Sequence, residues 1–200
     1  MLTAFQNFLY NCALSFDLPI LDWIQANLQS GFMDKFMPFI TVFGDAGIFW
    51  MVISALMLVF PKTRKTGLGM AIAMMIGLLV CNVTLKPLVA RIRPYDLQAE
   101  LGVTIRLLCE AQHDFSFPSG HTIASFEAAV VMLKNRKFGI PAMILAVLIS
   151  FSRLYLYVHY PTDVIVSVIL GTLFALIGDA LAGLIAPKLG AGQRKGKYER

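Results

Sequence analysis

Five long apolar segments, cut apart by short polar stretches, set the strongest limit on how this chain can fold. They run over about residues 36–60, 67–85, 119–134, 140–157 and 163–186. A helix rises 1.5 Å per residue, and a bilayer's hydrocarbon core is about 30 Å thick, so about 20 apolar residues make one crossing. Each segment reaches that length or nearly so; the third is the shortest, and Gly44-Asp45 is a soft point in the first. The chain is 58% hydrophobic and only 14% charged, with a mean hydropathy of +0.71. A single aqueous core in a chain of 200 residues cannot hide that much apolar surface. The expected fold is therefore all-α, a polytopic transmembrane helix bundle of about five spans.

The N-terminal segment, 1–33, reads differently. About sixteen apolar residues are followed by Asp17, Pro19 and Asp22, short for a span. An N-terminal interfacial helix lying on the membrane is the preferred reading, and a sixth span is the alternative. The stretch lacks the basic n-region and cleavage site of a secretory signal, so it is read as retained. The organisation expected is an interfacial segment over 1–33, a transmembrane catalytic domain over 34–187 and a basic cytoplasmic tail over 188–200.

Charge orients the bundle. Lys62, Arg64 and Lys65 lie between the first two segments, and Lys134, Arg136 and Lys137 between the third and fourth. The tail carries Lys188, Arg194, Lys195, Lys197 and Arg200. With five spans these places share one face and hold most of the 17 Lys and Arg, so that face is cytoplasmic. The net charge of +5 thus reflects topology, and no nucleic-acid partner is expected. Cys12, Cys81 and Cys109 form no metal-binding or disulfide spacing, although a Cys12–Cys109 bridge is conceivable.

Lys86, Arg91, Arg93 and Arg106 remain on the opposite side in one long connection, where basic residues oppose the sorting rule. Three motifs occupy that face: Lys86-Pro-Leu-Val-Ala-Arg-Ile-Arg93-Pro94, Pro118-Ser119-Gly120-His121, and Ser152-Arg153 followed by His159 and Asp163. Lys86, Arg93 and Arg153 supply cations suited to phosphate oxygens. Ser119 and Gly120 open a helix whose free N–H groups attract an anion. Asp163 can orient His159 as a nucleophile, and His121 can protonate the leaving oxygen and later activate water. Singly, each cation is an ordinary snorkelling anchor and each histidine a solvated polar group. Together and in order, they describe a phosphate site without a metal or other cofactor.

The three motifs match the signature of the type 2 phosphatidic acid phosphatase superfamily at every position, and the chain resembles that family over about residues 34–186. The resemblance implies a metal-independent phosphatase with a phosphohistidine on His159, acid–base work by His121 and orientation by Asp163. It implies phosphate contacts from Lys86, Arg93, Ser119, Gly120 and Arg153. The partners implied are the bilayer and a lipid phosphate or pyrophosphate. Undecaprenyl pyrophosphate is favoured; phosphatidylglycerol phosphate, phosphatidic acid and diacylglycerol pyrophosphate are alternatives. The expected location is the plasma (inner) membrane, multi-pass, with the site on the extracytoplasmic side. A vanadium haloperoxidase-like enzyme and a non-catalytic transporter are more distant readings. Glu127 is expected to be a structural hydrogen-bonding group or a protonated acid. Tyr155, Tyr157 and Tyr160 are expected at the headgroup interface.

Overall fold

A computed structural model describes residues 2–186, with side chains from residue 3. The basic tail, with Lys188, Arg194, Lys195, Lys197 and Arg200, lies outside the described residues. Among the described residues all regular structure is helical. The helices are α1 (Leu2–Cys12), α2 (Leu18–Leu28), α3 (Met33–Thr41), α4 (Ile48–Val59) and α5 (Arg64–Gly77). They continue with α6 (Lys86–Val89), α7 (Pro94–Glu100), α8 (Gly120–Met132), α9 (Arg136–Tyr155) and α10 (Pro161–Ile185).

Among the described residues, four stretches are long and apolar enough to cross a membrane: Met33–Val59, Arg64–Glu100, Arg136–Tyr155 and Pro161–Ile185. The fifth expected crossing is α8, at 13 residues about 20 Å long. Its brevity follows from its place. α8 packs against α5, α9 and α10, and nine of its side chains are buried. A helix enclosed by protein need not match the lipid thickness. Its wall toward α9 and α4 is the main apolar core, including Trp50, Met70, Phe126, Val131 and Ile149.

Small residues let the backbones close in, as helix association in lipid requires. A Cβ on Gly178 of α10 would stand 2.5 Å from the Gly69 carbonyl oxygen and 2.8 Å from the Ala73 nitrogen of α5. A Cβ on Gly171 would stand 2.9 Å from the Ile123 carbonyl oxygen of α8. The outer surface carries apolar side chains such as Val59, Val83, Ile144, Ile169 and Leu184, which suit lipid tails.

Prolines reshape two helices where polar side chains must turn inward. Pro19 has no N–H for the Ser15 carbonyl, and the turn before it widens into a π segment, Ala13–Asp17. Pro87 follows a second π segment, Leu78–Leu85. The first ends on Asp17, which is wholly buried, and the second delivers Lys86. The soft point in the first span is a real break. Asp45 has ψ 120° and Ala46 a positive φ of 48°. Gly47 follows with a positive φ of 67°. Together they join α3 to α4 through a 3-10 segment, Val42–Gly47.

One expectation is corrected. Tyr155, Tyr157 and Tyr160 do not meet headgroups; all three are at most 1% exposed. Their hydroxyls and rings are claimed by protein: Tyr155 donates to Asp34 Oδ1 at 2.5 Å, Tyr157 to Asp22 Oδ1 at 2.5 Å, and Tyr160 lies under the Arg91 guanidinium at 3.8 Å. Glu127, expected as a hydrogen-bonding group or a protonated acid, has its Oε1 buried without a partner. Cys12, Cys81 and Cys109 are free thiols.

Candidate active site

The ends of α5–α6, α8 and α9 and the turn before α10 meet around one cavity of about 660 Å³. Lys86, Arg93, Gly120, His121, Arg153 and His159 all line it. Residues as distant in sequence as Lys86 and His159 thus converge on one space.

His159 sits in the tight turn between α9 and α10 and is 2% exposed. Its Nε2 lies 3.4 Å from Arg93 Nη1, while Nδ1 faces Asp163 Oδ2 at 3.5 Å without an aligned hydrogen bond. Burial, followed by the charges of Arg93, Arg153, Lys86 and His121, holds the imidazole well below its ordinary value. His159 is therefore neutral, with a free lone pair on its ring.

Arg93 is held by the backbone. Nη1 donates to the Val158 carbonyl at 2.7 Å and Nε to the Asp114 carbonyl at 2.9 Å. Its Nη2 and Lys86 Nζ both donate to the Asp114 carboxylate. Burial pushes the Asp114 carboxyl up, but Lys86 and Arg93 outweigh it and hold the group at about 2. Arg153 Nη1 donates to Thr41 Oγ1 at 2.5 Å, whereas Nε and Nη2 are buried without partners. Buried guanidinium donors normally find acceptors, so the open donors of Arg153 on the cavity wall fit an anion.

His121 stands at the start of α8, and its Nε2 is 2.8 Å from Asp45 Oδ1. Gly44 makes room for this ring: a Cβ there would fall 2.5 Å from His121 Cδ2. With a carboxylate on Nε2, that nitrogen carries the hydrogen and Nδ1 is left for a water or leaving group.

Two expected residues stand behind the cavity. Ser119 is fully buried, its N–H donates to Ser167 Oγ at 2.8 Å, and its hydroxyl accepts from Thr122 at 3.2 Å. It makes no side-chain cap on α8, and its hydroxyl serves the helix interior. Asp163 lies behind His159, accepting from Tyr160 N at 3.1 Å and from Arg91 Nη1 at 2.5 Å. Sequence reasoning missed Asp17, Thr41, Asp45, Arg91 and Asp114 as site partners. The only local signal was a third cation inside the first motif and an acid beside Gly44.

The cavity continues away from the charged end. Met51, Ala55 and Leu58 of α4, and Met74 and Leu78 in the helix running on from α5, form its apolar stretch, with Ile123, Ala124 and Glu127 behind. Gly77 is needed there, since a Cβ would collide with the Glu127 carboxyl. Among the described residues no three His, Cys, Asp or Glu side chains gather into a group that could hold a metal ion.

A membrane helix bundle with two imidazoles, an anion cradle and an apolar groove in one space defines a phosphoryl-transfer enzyme that works on a lipid. The PAP2 superfamily pattern matches residues 62–181, and the chain belongs to that superfamily. It is a multi-pass membrane lipid phosphatase of the PAP2 type. The chain is similar to the undecaprenyl-diphosphatase of Sulfolobus acidocaldarius, 33% identical over 80% of this chain and 75% of that one. It is 30% identical to undecaprenyl-diphosphatase BcrC of Bacillus subtilis, over 74% of this chain and 77% of that one. In three dimensions it resembles a transmembrane PAP2-type phosphatidylglycerolphosphate phosphatase from Bacillus subtilis, with a TM-score of 0.70 and 27% identity, covering 92% and 95% of the two chains. Aquifex aeolicus LpxE shares the fold, with a TM-score of 0.71 at 23% identity and coverage of 82% and 94%.

Proposed function

We propose that the chain is a metal-independent polyprenyl diphosphatase, with undecaprenyl pyrophosphate as its favoured substrate. The observation that carries this reading is the continuity of the cavity from open guanidinium donors to an apolar groove. A diphosphate would sit among Lys86, Arg93, Arg153 and the α8 N-terminus, and its isoprenoid chain between α4 and α5. The named activity of the two diphosphatase relatives supports the same choice.

The proposed reaction has two steps. His159 Nε2 attacks the terminal phosphorus, the P–O bond to the bridging oxygen breaks, and His121, entering the step protonated on both ring nitrogens, gives its Nδ1 proton to that oxygen. The products are polyprenyl phosphate and phosphohistidine. Water, deprotonated by His121, then attacks phosphorus, breaks the P–N bond and releases inorganic phosphate. The fixed cations stabilise the charge on the equatorial oxygens in both steps.

A second reading is a glycerophospholipid substrate such as phosphatidylglycerol phosphate. The near-complete overlap with a phosphatidylglycerolphosphate phosphatase and the acid Glu127 in a mainly apolar groove favour it. If protonated, this carboxyl would donate a hydrogen bond to an ester carbonyl, whereas a polyprenyl chain offers no acceptor.

Phosphate release by the purified protein in detergent with EDTA, across polyprenyl diphosphates and glycerophospholipids, decides between them. Activity is expected to survive chelation and to favour the polyprenyl diphosphate. A strict metal requirement would sink the mechanism, and preference for phosphatidylglycerol phosphate would transfer the assignment to the second reading.

We further propose that the site faces away from the cytoplasm of a plasma (inner) membrane and that α1–α2 lies along the interface. Phe5, Phe8, Tyr10, Phe16 and Trp23 are exposed on that segment, in keeping with an aromatic interfacial face. Labelling of Gln112→Cys by an impermeant reagent outside intact cells tests the orientation, and protection would reverse it.

Asp114 competes for the same cations. Phosphate must displace its half-exposed carboxylate from Lys86 and Arg93. Asp114→Asn is expected to lower KM several-fold, an effect of about 1 kcal/mol, with kcat little changed. An unchanged or raised KM would show that Asp114 holds the cations in place instead.

A further inference from the structure

The N-terminal segment reaches the nucleophile through a buried charge chain. Arg91 lies between two carboxylates: its Nη2 donates to Asp17 Oδ2 at 2.7 Å and its Nη1 to Asp163 Oδ1 at 2.5 Å. Thr162 closes the ring, donating its N–H to Asp17 Oδ1 at 2.9 Å and its hydroxyl to Asp17 Oδ2 at 2.7 Å. The Tyr160 ring covers the guanidinium at 3.8 Å, and the Leu9 carbonyl accepts from Nη2 at 3.1 Å. Asp17 and Asp163 are 0% exposed and Arg91 is 7% exposed. The π segment that ends on Asp17 is what turns this carboxylate inward.

The charge count gives the chain its meaning. Two carboxylates and one guanidinium leave one net negative charge. Arg91 takes one oxygen of Asp163, so the other, Oδ2, is left toward His159 Nδ1 at 3.5 Å. A second tie from the same segment steadies the turn. Tyr157 has a positive φ of 60°, a conformation that costs a non-glycine residue free energy and needs support from its surroundings. Its hydroxyl donates to Asp22 of α2 and accepts from Gln98 Nε2 at 2.8 Å.

We infer that Asp17 and Arg91 are positioning residues for the nucleophile, setting the charge and direction of the Asp163 carboxylate that orients His159. The inference rests on His159 being the nucleophile, as proposed above. It makes the N-terminal segment part of the catalytic apparatus rather than only a membrane anchor. The groups facing Asp163 are Arg91, Asp17 and Tyr160, and those facing His159 are Arg93, Arg153, Lys86 and His121.

The test uses the full chain in detergent, with kcat, KM and the acid limb of kcat/KM measured on a polyprenyl diphosphate. Asp17→Asn is expected to lower kcat by about ten- to a hundredfold with KM within about twofold. Opposite shifts follow from charge. Asp17→Asn leaves Arg91 less neutralised and moves the acid limb down by about one pH unit. Arg91→Gln leaves Asp163 without its cation and moves the limb up. The double variant again has one net negative charge, and its acid limb returns toward the unaltered protein's.

Equal pH profiles in all variants, or shifts in one common direction, would overturn the inference. Should Arg91→Gln fail to fold, Asp17→Asn and the double variant still decide by their limbs. His159→Ala separates the two levels. If it is inactive while Asp17→Asn keeps the unaltered kcat and profile, the relay falls alone. If His159→Ala remains active, the relay falls together with the nucleophile assignment.

Discussion

His159→Ala is expected to abolish phosphate release, with kcat down by at least about four orders of magnitude. No other described histidine occupies this place: His159 is the imidazole between Arg93 and Asp163. His121 lines the same cavity but is paired with Asp45. Reactions with a labelled terminal phosphate, quenched in alkaline denaturant because a P–N bond is lost in acid, should show label on the unaltered protein and none on the variant. Retained turnover, or label elsewhere, would remove the covalent mechanism. A pH signature accompanies this. The buried imidazole stays neutral well below 6.5, so attack continues into mildly acidic conditions. In that window the unfolded chain binds a proton that folded His159 does not. Stability therefore falls as pH falls below 6.5. His159→Gln should flatten that part of the melting curve in detergent.

The second large effect is expected at Arg153. It is 2% exposed, lines the cavity, is tied by one nitrogen to Thr41, and keeps two buried nitrogens without partners. Arg153→Ala should reduce kcat by about 10² to 10³, or about 3–4 kcal/mol, the range seen when a preorganised charge-stabilising donor is removed. Arg153→Lys should rescue little, because an ammonium cannot present two nitrogens in a fixed plane while also holding Thr41. A large rise in KM with kcat unchanged would instead assign Arg153 to ground-state binding. Full rescue by lysine would leave only its charge as the working feature.

Much of the candidate site was legible because its chemistry is carried by residue types at short, ordered spacings. Lys86 and Arg93 stand seven positions apart within one motif, and His159 and Asp163 four positions apart within another. The apolar segments were legible for the same kind of reason, since bilayer thickness sets a length that can be counted. What could not be counted were the partners. Nothing near Asp17 in the chain suggests that it would meet Arg91, 74 positions away, or that Asp45 would meet His121, 76 positions away. The partners of Ser119 were equally hidden, since its place before a helix does not reveal that Ser167 and Thr122 engage it. The three tyrosines were misplaced because interfacial aromatics and buried hydrogen-bonding aromatics look alike in one dimension.

The amino-acid order by itself determined the membrane, the helices, the end of the bundle that gathers the motifs and the groups proposed to handle phosphate. These follow from hydropathy, cation placement and motif spacing, which are local properties. Only the tertiary structure decided which carboxylate holds which imidazole or guanidinium, how deep α8 is enclosed and where the apolar groove opens. Those depend on close backbone contacts, such as Gly178 on Gly69, and on π turns that re-aim single side chains. Such contacts exist only after the helices have packed.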